Sequence, residues 1–108
     1  VNDVIKNLYN VARERKECKV EKSYTCYLFA EGIDKILKKC GEECSEMIIA
    51  AKNNDNTELA NEICDLIYHV IVMMVEQGVE LSEIEAILNK RHQKIGNLKT
   101  FYKTDMNS

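Results

Sequence analysis

Apolar residues recur along this chain at helical spacing, in four long stretches separated by polar joints. Val4, Ile5, Leu8, Val11 and Ala12 mark a first helix over residues 3–16. A polar joint over 17–23 leads to a short turn carrying Tyr27, Leu28 and Phe29, which Ser23 or Thr25 can cap and Gly32 ends. Asp34 stands where it would cap the next helix, over 35–52. Asn53, Asn54, Asp55 and Asn56 form a turn cluster. Asp55 and Glu58 have capping-box spacing ahead of a helix over 57–77 that stops at Gly78. Ser82, Glu83, Ile84 and Glu85 read as the capping box of a last helix ending near Gly96, followed by a polar tail over 97–108. No stretch alternates as a strand does. The pattern predicts an all-α helical bundle, one domain over 1–96 with a C-terminal tail over 97–108.

The helical faces sort the charged residues. At about 100° per residue, Ile36, Leu37, Cys40, Cys44, Met47, Ile48 and Ala51 form one apolar arc of the second long helix. Glu43 falls at the edge of that arc, Glu46 one step further round, Lys39 on the same strip and Glu42 nearer to solvent. On the third long helix, Leu59, Ile63, Leu66, Ile67, Val70, Ile71, Met74 and Val75 cover more than half the circumference, so burial on several sides is expected. One small chain cannot cover so apolar a helix. A symmetric homodimer burying Ile63, Ile67, Ile71 and Val75 would complete a four-helix-type core.

A narrow polar stripe remains on that helix: Glu58, Glu62, Asp65, His69 and Glu76. Glu62 and Asp65 repeat the i,i+3 spacing of Glu43 and Glu46, and the short Asn-rich joint favours an antiparallel hairpin in which the two pairs face each other. Four carboxylates so placed repel, which leaves protonation of some or cation binding. An all-oxygen set suits Mg²⁺ or Mn²⁺. The competing arrangement is a surface ion-pair network, with Lys39–Glu43 and Lys38–Glu42 at i,i+4. Asp65 is expected beside Glu62, Glu43 and Glu46 with little solvent to screen them. His69, one turn beyond Asp65, is either a hydrogen-bonded core histidine or a substrate neighbour. Lys39 and Lys52 flank the acidic strip, where lysines can contact phosphates. Cys40 and Cys44 point into the apolar arc and are read as packing residues.

Composition narrows the classes. The net charge is −3, without the basic footprint of a nucleic-acid binder. No run approaches the length of a membrane span, and the opening Val1, Asn2, Asp3 lacks a signal-peptide pattern. The 5 cysteines are an odd count inside helical segments, as reduced thiols of a cytoplasmic protein would be. No P-loop pattern is present, so phosphate binding would fall to metal and side chains.

The segment from Ser23, Tyr24 and Thr25, through Gly32-Ile33-Asp34-Lys35-Ile36-Leu37-Lys38-Lys39-Cys40-Gly41-Glu42-Glu43, to Glu46, Ala50-Ala51-Lys52-Asn53 and Glu62-Ile63-Cys64-Asp65-Leu66-Ile67-Tyr68-His69, resembles the phosphoribosyl-ATP pyrophosphatases of histidine biosynthesis. The EExxE and ExxD strings mark the wider MazG-like group of all-α nucleotide pyrophosphohydrolases. The resemblance implies an enzyme that hydrolyses phosphoribosyl-ATP to phosphoribosyl-AMP and pyrophosphate with Mg²⁺. The family's acidic motif falls on Glu42, Glu43, Glu46, Glu62 and Asp65. Glu43, Glu46, Glu62 and Asp65 are the expected metal ligands, with Glu43 or Glu46 as general base. Ser23, Thr25, Lys39, Glu42, Lys52 and His69 are the expected substrate contacts. Two other functions stay open at this point: a MazG-like enzyme acting on other nucleoside triphosphates, and a non-enzymatic acidic helical module.

Overall fold

The structure is a computed structural model and describes residues 2–95. Five helices follow one another: α1 (Asn2–Glu17), α2 (Tyr24–Glu31), α3 (Ile33–Lys52), α4 (Asn56–Gln77) and α5 (Leu81–Ile95), with no strand among the described residues. The all-α expectation holds. Gly96 and the tail over 97–108 lie outside the described residues.

The helix ends follow local chemistry, and two of them differ from expectation. Ser23, not Thr25, caps α2: its Oγ accepts the Cys26 N–H at 3.1 Å. Asp34 does not cap α3. Gly32 closes α2 by donating its N–H to Leu28 O and opens α3 by accepting from Ile36 N–H, at φ +94°, where a side chain would be strained. With a one-residue link the helix restarts earlier, and Asp34 sits in its first turn, where a carboxylate complements the helix dipole. Asp55 does cap α4, accepting the Glu58 N–H at 3.1 Å. Gly78 ends α4 in the left-handed conformation. The proposed Ser82 cap is displaced by two residues: α5 begins at Leu81, and Glu83 reaches back to the Glu80 N–H at 2.9 Å. Ser82 lies inside the helix, and Glu83 supplies the back-reaching half of the box.

Two apolar clusters hold the body. Tyr9 and Ala12 of α1 pack on Ile71, Met74 and Val75 of α4, with Phe29, Leu81 and Ile84 at the margin. The Tyr9 hydroxyl donates to Val79 O at 2.9 Å and so ties α1 to the joint before α5. Leu28 of α2, Ile36 of α3 and Val72 of α4 form the second cluster, all three without solvent exposure. Ile71 and Val75, expected at a dimer interface, are thus used inside the chain, because α1 covers that end of α4. The rest of the predicted apolar surface is open: Leu37, Ile48, Ile63 and Ile67 are exposed. The cysteines are all free, with Cys26 buried and Cys40 and Cys44 half-buried.

Leu28 is the fully buried side chain through which α2 enters the core shared by α3 and α4, with Phe29 packed beside it. Leu28→Ala should cost about 2–5 kcal/mol, read as a lowered denaturation midpoint with little change in helical content below the transition. A loss under about 1 kcal/mol would mean that α2 is not anchored there.

Candidate active site

A three-residue turn, 53–55, joins α3 to α4, and Asn54 makes the reversal at φ +56°, a conformation asparagine tolerates. The two helices pack along one another as the expected hairpin. On α3 the buried positions are Ile36, Glu43 and Ala50, seven residues apart, or nearly two turns. Glu43 is therefore at the centre of the buried face and not at its edge. On α4, Glu62 and His69 are buried at the same spacing. Glu43 is 7% exposed and Glu62 9%.

These positions bring carboxylates together. One oxygen from each of Glu43, Glu62 and Asp65 lies within 4.8 Å of the others. Asp65 is exposed at the mouth, so the expectation that little solvent screens it is corrected: the desolvated pair is Glu43 and Glu62. Glu46 is exposed and stands beside Glu62, outside that tight trio. With Asn53, Asp55, Glu58 and Glu62 it lines a shallow cavity of about 220 Å³. Glu58 was visible on the sequence stripe, one turn before Glu62, and was not singled out.

Ion pairing does not neutralise the cluster. Lys39 Nζ lies 3.3 Å from Glu42 Oε1 and 3.7 Å from Glu43 Oε1, so one ammonium serves two carboxylates. Its hydrogen bond to Glu42 is the main cause holding the Lys39 pKa above the ordinary value. Lys38 makes no pair with Glu42 among the described residues. Glu43 Oε2 and Glu62 Oε2 are buried with no hydrogen-bond partner. Burial first, and then the neighbouring carboxyls of Glu58, Glu46 and Glu43, push the Glu62 pKa up to about 8. An all-oxygen donor set with two unpartnered buried atoms fits a hard divalent cation.

The remaining expected residues surround this centre. His69 Nδ1 lies 2.7 Å from the Asp65 carbonyl, which can only accept, so Nδ1 carries the proton. In the neutral ring Nε2 then accepts from the Tyr24 hydroxyl at 3.1 Å. Thr25 Oγ1 is hydrogen-bonded to the Tyr68 hydroxyl. Tyr24 and Thr25 thus fasten α2 to the α4 turn that follows Asp65, a role that local spacing could not reveal. Ser23 is occupied as a cap. Lys52 is exposed at the C-terminal end of α3, apart from the trio.

Similarity to known proteins gives the chain a family. The sequence model described as "Phosphoribosyl-ATP pyrophosphohydrolase" matches residues 5–92. The chain is 55% identical over 103 residues to a phosphoribosyl-ATP pyrophosphatase of Clostridium botulinum (strain Hall), covering 95% of this chain and 94% of the relative. It is 58% identical over 97 residues to a protein of the same name from Clostridium novyi (strain NT), covering 90% and 88%. It is 52% identical over 101 residues to the histidine biosynthesis bifunctional protein HisIE of Lactococcus lactis, covering 94% of this chain and 48% of that longer protein. The chain is an all-α hydrolase. The chain belongs to the phosphoribosyl-ATP pyrophosphohydrolase family, as the sequence resemblance implied, and no helix among the described residues is long and apolar enough to cross a membrane.

Glu62 makes stability depend on pH. A carboxyl raised from 4.5 to about 8 holds its proton more tightly in the folded chain. The folded state then binds more protons across that window, so its contribution is full below about 4.5 and is lost as pH rises through about 8. In EDTA the unfolding temperature should fall between about pH 5 and pH 8, and Glu62→Gln should flatten that fall. A Glu62→Gln profile parallel to that of the native chain would remove Glu62 as the cause.

Proposed function

We propose that this chain hydrolyses the α–β phosphoanhydride of phosphoribosyl-ATP, yielding phosphoribosyl-AMP and pyrophosphate, in a Mg²⁺-dependent reaction of cytoplasmic histidine biosynthesis. The observation that carries the metal is the pair of buried, unpartnered carboxylate oxygens on Glu43 and Glu62. Membership in the family and the names of the relatives supply the substrate. Glu43, Glu62 and Asp65 would hold the cation, with Glu46 beside them. Bound there, Mg²⁺ or Mn²⁺ neutralises phosphate charge and acidifies water.

The chain's own residues do the rest. Glu43 is engaged by Lys39 and sealed from solvent, whereas Glu46 is exposed and has no ion pair among the described residues. Glu46 is therefore the better general base, positioned to take the proton of the attacking water as it meets the phosphorus. Lys39, already at the rim with Glu42 and Glu43, offsets charge on the phosphates. The His69 bond to the Asp65 carbonyl and the Tyr24 bond to His69 keep the turn carrying Asp65 in place.

Pyrophosphate release from phosphoribosyl-ATP, with Mg²⁺ and with EDTA, tests this directly, and a panel of ordinary nucleoside triphosphates gives the contrast. Asp65→Asn and Glu46→Gln should each lower kcat by about 100-fold or more, as loss of a metal ligand or a general base does. Full turnover in EDTA, or unchanged kcat in both variants, would refute the assignment. Faster turnover of ordinary triphosphates would favour the wider MazG-like activity.

We further propose that the chain works as a homodimer. By helical angle, Leu37 and Ile48 on α3 and Ile63 and Ile67 on α4 point to one side of the hairpin, away from α2, and all four are exposed. A second copy laid on that side gives a four-helix core, worth about 1.5–3 kcal/mol for each large aliphatic side chain fully covered. Light scattering should give twice the chain mass at micromolar concentration, and Ile67→Asp should return the monomer mass. A native chain that is monomeric there would overturn the dimer.

A further inference from the structure

Next to the carboxylate centre lies a second pocket of opposite character, and the reaction described so far leaves its Tyr27, Lys35 and Lys38 unused. Tyr24 and Tyr27 of α2 and Lys35, Lys38, Lys39 and Glu42 of α3 line a cavity of about 280 Å³. Both tyrosine rings are half exposed, and they stack with centroids 6.0 Å apart. Lys39 and Glu42 cancel each other at 3.3 Å. Lys35 and Lys38 have no ion pair among the described residues, so the pocket keeps two positive charges. The ammonium of Lys35 lies 5.8 Å from the Tyr27 ring centroid, a cation–π contact that holds it over the pocket wall.

Two free ammonium groups in an aromatic-walled pocket match one phosphate dianion. The proposed substrate carries such a group apart from its triphosphate. Its two ribose arms leave opposite edges of the purine, one bearing the triphosphate and the other a monophosphate. The pocket is offset from the carboxylate centre in the matching way. Lys35 precedes Glu43 by eight residues, and Lys38 precedes Glu46 by eight, a step of about 12 Å along α3 at 1.5 Å per residue. Lys39 touches Glu43 at one end of that step and lines the lysine pocket at the other.

We propose that the pocket formed by Tyr24, Tyr27, Lys35 and Lys38 binds the monophosphate of the N1-ribosyl arm, and that it is this contact which separates phosphoribosyl-ATP from ATP as a substrate. The assignment rests on the reaction proposed above and concerns the other end of the same molecule. The purine–ribose unit then spans the rim between the pockets, and the triphosphate is delivered to Glu43, Glu62 and Asp65.

The test is a cycle between the enzyme's charge and the substrate's phosphate. kcat/KM is measured for the native chain and for Lys35→Ala/Lys38→Ala, each with phosphoribosyl-ATP and with the same compound lacking the N1-ribose phosphate. Both lysines lie at or near the surface, so the double variant should fold. On phosphoribosyl-ATP the variant should lose about 10- to 100-fold, the range for hydrogen bonds to a charged group. On the dephosphorylated compound it should match the native enzyme, whose own rate there should already be reduced by the same factor. Lys6→Ala/Lys90→Ala, with the same change in net charge on exposed sites elsewhere, should leave both rates unchanged. Equal losses on both compounds would overturn the proposal, since the lysines would then serve the triphosphate or the base. No loss on either, or an equal loss in the Lys6/Lys90 control, would overturn it as well. A native enzyme that does not turn over phosphoribosyl-ATP would defeat the underlying reaction and this assignment with it, an outcome visible without any variant.

Discussion

Two carboxylates buried against each other govern this molecule. Glu43 and Glu62 face one another across the α3–α4 hairpin, each nine-tenths buried, each with an oxygen that finds no partner in the protein. Packing alone would place apolar side chains there. Ile36 and Ala50 do occupy the neighbouring turns of the same face on α3. The interruption of that face by Glu43 makes the hairpin less stable than its pattern allows and gives it a site. The protein's partial remedies are a shared lysine on Glu43 and a retained proton on Glu62. Neither supplies a full counter-charge, and in the proposed reaction a divalent cation would supply it.

The other elements support this interior. α1 and the joint before α5 close one end of α4 through Tyr9, which leaves the carboxylate half of α4 to face α3. α2 is a bracket of eight residues with two uses. Its buried side enters the core at Leu28, while Tyr24 and Thr25 reach His69 and Tyr68 on the turn after Asp65. Its outer side sets two tyrosines over the lysines of α3. The string Ser23-Tyr24-Thr25 therefore caps a helix, fastens it to α4 and shapes a wall of the lysine pocket.

Helical periodicity made the long elements and the hairpin legible, since 3.6-residue spacing is a property of single helices. The two i,i+3 carboxylate pairs and their meeting across the turn could be read in the same way. Four things could not. Glu43 falls at the edge of the sequence's apolar arc because that arc extends round to Leu37 and Ile48, which the single chain leaves uncovered. The screening of Asp65 was misjudged because burial along α4 depends on how far α3 overlaps it. Asp34 and Ser82 do not act as caps because glycine at φ +94° and a back-reaching Glu83 open their helices two residues earlier. The lysine pocket needed the position of α2, which no spacing within α3 contains.

The proposed divalent cation would take over from the proton on Glu62. At pH 7 a carboxyl with a pKa of about 8 is mostly protonated in the metal-free chain. Mg²⁺ titrated into that protein in weak buffer should release close to one proton per chain at saturation, and Glu62→Gln should release none. Saturable Mg²⁺ binding without proton release, or no Mg²⁺ binding at all, would contradict the account.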